Sequence, residues 1–154
     1  MMGIAKATRE YEAWLGKHIR LLPADLRHKH LAMAQDVFPF FRATFYRWMQ
    51  LWPKVCAKAA DAPHVLAVGD LHVENFGTWR DVEGRLVWGI NDFDEAYQLP
   101  YTIDLVRLAA SAHVAIRESR LQIAAKDACT AILTGYKKSL EVGGIPFVLA
   151  EEHE

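Results

Sequence analysis

A change of rhythm in the middle of the chain limits what it can fold into. Strand-like patterning is confined to the stretch between Pro63 and Pro100, with helical spacing on both sides. On the N-terminal side, Ile4, Ala7, Tyr11, Trp14, Leu15 and Ile19 recur at three- and four-residue steps. That spacing is one stripe of an amphipathic helix from Ile4 to Ile19. Pro23 and Asp25 suit the first turn of a second helix reaching Met33. The aromatic run Phe38, Phe40, Phe41, Phe45, Tyr46 and Trp48 predicts a third, heavily buried helix over Val37 to Met49. Pro53 is expected to kink or end it, with a further helical turn running to Ala60.

The middle stretch reads differently. His64 to Val68 is a short apolar run predicted to be a buried strand, and Arg85 to Ile90 is a second. Asp81 to Gly84 has turn chemistry, which makes Phe76 to Arg80 the first arm of a hairpin. Beyond Pro100, Leu105, Leu108, Ala109, Ala112 and Ile116 predict one helix, and Ile123, Ala128, Ile132 and Tyr136 another. Gly143-Gly144 is a stop signal. Helices, then a small β-region, then helices again is an α+β order rather than an alternating one. The expected organisation is N-terminal helices over 1–36, a central domain over 37–142, and a tail over 143–154 that ends in Glu151-Glu-His-Glu154. The tail offers no capping or packing element, so it is read as a truncation point.

Composition narrows the function classes. The 154 residues are enough for a single core. A formal net charge of -1 gives no electrostatic case for nucleic acid or an anionic membrane. The N-terminus has no apolar signal region, and no apolar run reaches the roughly 20 residues of a membrane span. A cytoplasmic protein is expected. Cys56 and Cys129 lie far apart and read as buried small hydrophobes in a reducing compartment, with a disulfide as the alternative.

The chemistry is concentrated in Ala67-Val-Gly-Asp-Leu-His-Val-Glu-Asn-Phe-Gly77 and Gly89-Ile-Asn-Asp-Phe-Asp-Glu-Ala96. Gly69 permits a tight turn at the end of a strand. Asp70, His72, Glu74 and Asn75 follow on the loop, and Asp92 stands at the end of a second strand. Asp70, Asn75 and Asp92 brought together form an all-oxygen set that suits magnesium, which is commonly held by one or two carboxylates plus substrate phosphates. Asp94 is a further candidate ligand, and Glu74 and Glu95 read as solvated. His72 is open to three roles: bracing the loop, contacting a phosphate or binding the metal. Arg42 reads either as a charge partner of the acidic site or as a snorkelling helix residue. The plain alternative for Asp70 and Asn75 is a turn in which short polar side chains bond their own backbone.

Asp, then Asn five residues on, then Asp-Phe beyond a short hairpin resembles the protein-kinase order of catalytic base, metal-binding Asn and metal-binding Asp. The Gly69-Asp-x-His-x-x-Asn75 form is more similar to aminoglycoside phosphotransferases and choline kinases. Those families also have an acidic patch after the second Asp, then a Pro and an Asp-Leu opening a helix, as at Pro100 and Asp104-Leu105. A closer resemblance joins Phe40-Phe-Arg42, Gly69 to Gly77, Asn91-Asp-Phe-Asp-Glu95 and Asp104-Leu-x-Arg-Leu-Ala-Ala-Ser111. Together these look like the bacterial family catalogued as domain of unknown function 2252, over roughly Val37 to Leu140.

The resemblance implies a kinase-like C-lobe with a small hairpin carrying the catalytic and metal-binding loops. It implies phosphoryl transfer from ATP with magnesium to a small-molecule hydroxyl. Asp70 would be the catalytic residue, and Asn75, Asp92 and Asp94 the metal ligands. His72 and Arg42 would be cofactor contacts, with Gly69 and Asp104 as structural support. Arg107 reads as the member of a structural ion pair.

The chain departs from the kinase pattern in having no Gly-rich phosphate loop, no Val-Ala-x-Lys strand, and Val68 where a His commonly anchors the loop. The nucleotide-gripping lobe is therefore expected from a complementing chain, or the protein is a non-catalytic binding module. A metal-dependent phosphoesterase is a weaker alternative, because its further Gly-Asp and Gly-Asn-His blocks are missing.

Overall fold

A computed structural model of the chain describes residues 2–149, so the acidic tail at 151–154 lies outside the described residues. The fold is α+β, and it divides into two compact units, Met1–Asp61 and Ala62–Glu154.

The first unit is helical: α1 (Ile4–Leu15), α2 (Pro23–Gln35), α3 (Val37–Ala43), α4 (Phe45–Val55) and the single turn α5 (Ala57–Ala60). α1 stops short of Ile19 because the chain leaves the helix at Gly16, whose N–H closes on the Glu12 carbonyl at 2.9 Å. α2 opens on Pro23 at its first position, where a missing N–H costs nothing. The aromatic stretch is two helices rather than one. Thr44 breaks it with φ -113 and ψ 28, and its hydroxyl donates to the Phe40 carbonyl at 2.8 Å. A hydroxyl that bonds four residues back competes with the helical ladder, which is a general reason for bends at Ser and Thr. α4 continues two residues past Pro53 before it ends. Ala7, Phe38, Phe45 and Trp52 are buried in this unit.

The second unit carries β1 (His64–Ala67), a 3-10 turn over Val73–Asn75, β2 (Phe76–Arg80), β3 (Leu86–Ile90), β4 (Tyr97–Pro100), α6 (Thr102–Glu118), α7 (Ala125–Glu141) and β5 (Phe147–Val148). β2 and β3 form an antiparallel hairpin, Phe76 opposite Ile90 and Arg80 opposite Leu86, and β5 adds to the far side of β3. β1 pairs antiparallel with β4 in a separate two-stranded ribbon. β1 is not a buried strand. Leu66 is 73% exposed and Val65 43%, because a two-stranded ribbon covers only part of its surface.

Four of the buried residues in this unit are polar: His72, Asn75, Arg107 and Ser111. The buried apolar residues of the unit are Ala67, Leu71, Val87, Ile103 and Val148, and Arg107, Ile103 and Ser111 are the largest side chains that are almost wholly covered. Buried polar groups persist only where they are hydrogen-bonded. The interior of the unit is therefore organised around the loop between β1 and β2. α7 packs on α6, with the rings of Tyr101 and Tyr136 stacked at 6.2 Å, and ends before Gly143 and Gly144, both at positive φ. No helix among the described residues is long and apolar enough to cross a membrane.

Candidate functional site

The loop begins where β1 ends. Gly69 has φ +87, and a Cβ there would lie 2.4 Å from the Glu95 carbonyl oxygen. Only glycine fits both the left-handed backbone and that approach. The contact brings the loop after β1 against the turn after β3. A second close approach follows at Gly77, where a Cβ would sit 2.1 Å from the Asn91 amide nitrogen.

α6 supports the loop from one side. Asp104, in its first turn, accepts from the Val68 N–H at 2.8 Å and the Gly69 N–H at 2.9 Å, one on each carboxylate oxygen. Burial raises the Asp104 carboxyl above its usual range, and these two hydrogen bonds oppose the rise. Arg107 donates from Nε to Asp70 Oδ1 at 2.5 Å, and its Nη2 meets the same oxygen. The Arg107 side chain is 1% exposed and that of Asp70 19%. Burial lowers the Arg107 pKa, against the opposing pull of Asp70 and Glu95. Ser111 accepts from the Val73 N–H at 3.0 Å while donating to the Leu108 carbonyl at 2.7 Å.

Asn75 ties the loop to the metal-binding candidates on the other side. It is 5% exposed, and its Nδ2 donates to the Asp92 carbonyl at 3.0 Å and to the Asp70 carbonyl at 3.5 Å. Its Oδ1 accepts from the Asp92 N–H at 2.9 Å, and its own carbonyl takes the Asn91 N–H at 2.9 Å. One side chain thus joins the segments of Asp70 and Asp92, which lie 22 positions apart in sequence. Asp92 and Asp94 are exposed, and Asp92 Oδ1 accepts from the Asp94 N–H at 3.0 Å. Partial burial, then the charges of Asp70, Asp92 and Asp94, raise the Glu95 carboxyl above its usual range, with Arg107 opposing.

The family model described as "Uncharacterized protein conserved in bacteria (DUF2252)" matches residues 20–144, most of the chain. The chain belongs to this family. No curated protein and no solved structure matches it.

In this DUF2252 chain the two remaining cofactor candidates belong to different units. His72 is 2% exposed, inside the loop, and Arg42 is in the last turn of α3, within the first unit. Among the described residues, no group of three or more His, Cys, Asp or Glu side chains has metal-holding geometry. The donors in question are of another kind, the Asn75 amide oxygen and the carboxylates of the two segments that Asn75 bonds through their backbone. Asp92 keeps its second oxygen, and an amide oxygen has two lone pairs of which Asn75 Oδ1 uses one within the protein. That supply fits magnesium completed by phosphates, which needs only one or two protein carboxylates.

The ion pair expected of Arg107 is made, and its partner is Asp70, which the sequence does not name; Ser111 is a supporting residue without a role in the sequence-based expectations. The available signal was the spacing of Asp104, Arg107 and Ser111, whose steps of three and four put them on one helix face. Three polar residues on the inward face of a helix need polar partners.

Proposed function

We propose that this DUF2252 chain carries the phosphotransfer centre of a kinase-like, ATP- and magnesium-dependent enzyme acting on a small-molecule hydroxyl. The observation that carries the reading is the triple engagement of Asn75 with the backbone of Asp70 and Asp92. It gathers a candidate base and a candidate metal carboxylate at the ends of two strands. The order of parts supports a kinase-like arrangement: loop Asp, Asn, antiparallel hairpin, Asp-Phe, then a helix whose Asp bonds back to the loop.

Asp92, with Asn75 and Asp94, would hold the magnesium, whose charge would offset that of the transferring phosphate. Asp70 would orient the acceptor hydroxyl and take its proton. The chain's contribution is placement: a loop held by Asp104 and Ser111, and an Asp70 carboxylate bonded by Arg107.

A second reading, a non-catalytic binding module, is favoured by the lack of a Gly-rich phosphate loop and a strand lysine in these 154 residues. Thermal denaturation with magnesium and ATP separates the readings. Phosphotransfer predicts stabilisation that needs both components and is lost in Asp92→Asn. Manganese-dependent cleavage of p-nitrophenyl phosphate would point to a phosphoesterase instead, and neither response would leave the binding module.

A further inference from the structure

α6 meets the loop at three points in matching order along the two segments. Asp104 takes the N–H groups of 68 and 69, Arg107 takes the side chain of 70, and Ser111 takes the N–H of 73. Two of these contacts capture backbone groups of the loop. The third is of another kind. Arg107 is a full charge brought to 1% exposure, and its contact is with the one loop side chain assigned to the acceptor. Burying a guanidinium is costly, and its rigid fork offers geometric control that a lysine or a neutral donor lacks.

Both contacts, from Nε and from Nη2, fall on Asp70 Oδ1. Oδ1 is thus tied to the interior, and the exposed fifth of the Asp70 side chain is the part an acceptor can meet. We infer that Arg107 is a positioning residue, which fixes the Asp70 carboxylate in one rotamer so that its second oxygen serves the acceptor hydroxyl. The role assigned to Asp70 rests on the phosphotransfer reading, whereas the locking of its rotamer does not.

The test uses the whole chain and two variants, Arg107→Met and Arg107→Lys, the second keeping the charge if the first fails to fold. Three-bond NMR couplings report the Asp70 χ1 directly. A single rotamer is expected in the wild type and averaging among rotamers in both variants. Hydrolysis of magnesium-ATP, with water as the acceptor, supplies the kinetic readout. The variants should lose roughly 10- to 100-fold in kcat, the scale of a misplaced catalytic group, with KM for ATP near the wild-type value. A single Asp70 rotamer in Arg107→Lys, or wild-type kcat with only a lowered Tm, would overturn the inference. A wild-type chain that hydrolyses no ATP overturns the catalytic half of the inference for this chain acting alone, while the couplings still decide whether Arg107 positions Asp70.

Discussion

Gly69 shows how much one residue carries here. Its φ of +87 and its approach to the Glu95 carbonyl leave no room for a methyl group. Gly69→Ala is expected to lower stability by about 2 kcal/mol, from backbone strain and displacement of the 92–95 turn. Urea unfolding of the two chains measures it, and an unchanged midpoint would show that the turn shifts freely. Glu95 gives a prediction with a sign. Its folded-state pKa is raised, so the folded chain binds the proton more tightly than the unfolded one and stability falls as pH rises through that pKa. At pH 7 the ionised carboxylate stands near Asp70, Asp92 and Asp94, with Arg107 as the opposing charge. Glu95→Gln should therefore be more stable than the wild type at pH 7, and the difference should shrink as pH falls to the ordinary carboxylate range. Denaturation midpoints between pH 4 and 7 test this, and a difference that grows toward pH 4 would reverse the sign.

At the scale of elements, α6 does for the loop what the sheets do not. Neither sheet pairs with residues 68–75, and the N–H groups of Val68, Gly69 and Val73 are taken by side chains of the helix. Ser111→Ala would leave the half-buried Val73 N–H without its acceptor, at a cost of about 1 kcal/mol. Hydrogen exchange at Val73 should accelerate while the amides of Val68 and Gly69, held by Asp104, stay protected. Equal acceleration at all three would mean that the contacts form one cooperative unit. Local periodicity located α1, α6 and α7, whose apolar residues recur at helical spacing, whereas α2 is legible from Pro23 and Asp25 in its first turn. It could not locate β4 or β5, which exist through pairing with β1 and β3 and have no distinctive pattern of their own. It also ran α3 and α4 together, since the break at Thr44 comes from a hydroxyl–carbonyl bond within an otherwise uniform aromatic run.

For the molecule as a whole, Phe40-Phe-Arg42 with the blocks Gly69 to Gly77, Asn91 to Glu95 and Asp104 to Ser111 carried the family resemblance, and the last three supply the bonds of the candidate site. Asp70, Asn75 and Asp92 could be picked out because their types and spacing are unusual together. The Asp70–Arg107 pair could not, because its partners are 37 residues apart and only the fold brings them into contact. Magnesium chemistry at Asn75 and Asp92 is the claim on which the rest stands, and paramagnetic NMR tests it directly. Manganese with ATP, added below stoichiometry, should broaden the amide signals of residues 69–76 and 91–95 before any others, and Asp92→Asn should remove the effect. Broadening centred on other acidic residues, or none at all, would contradict the account.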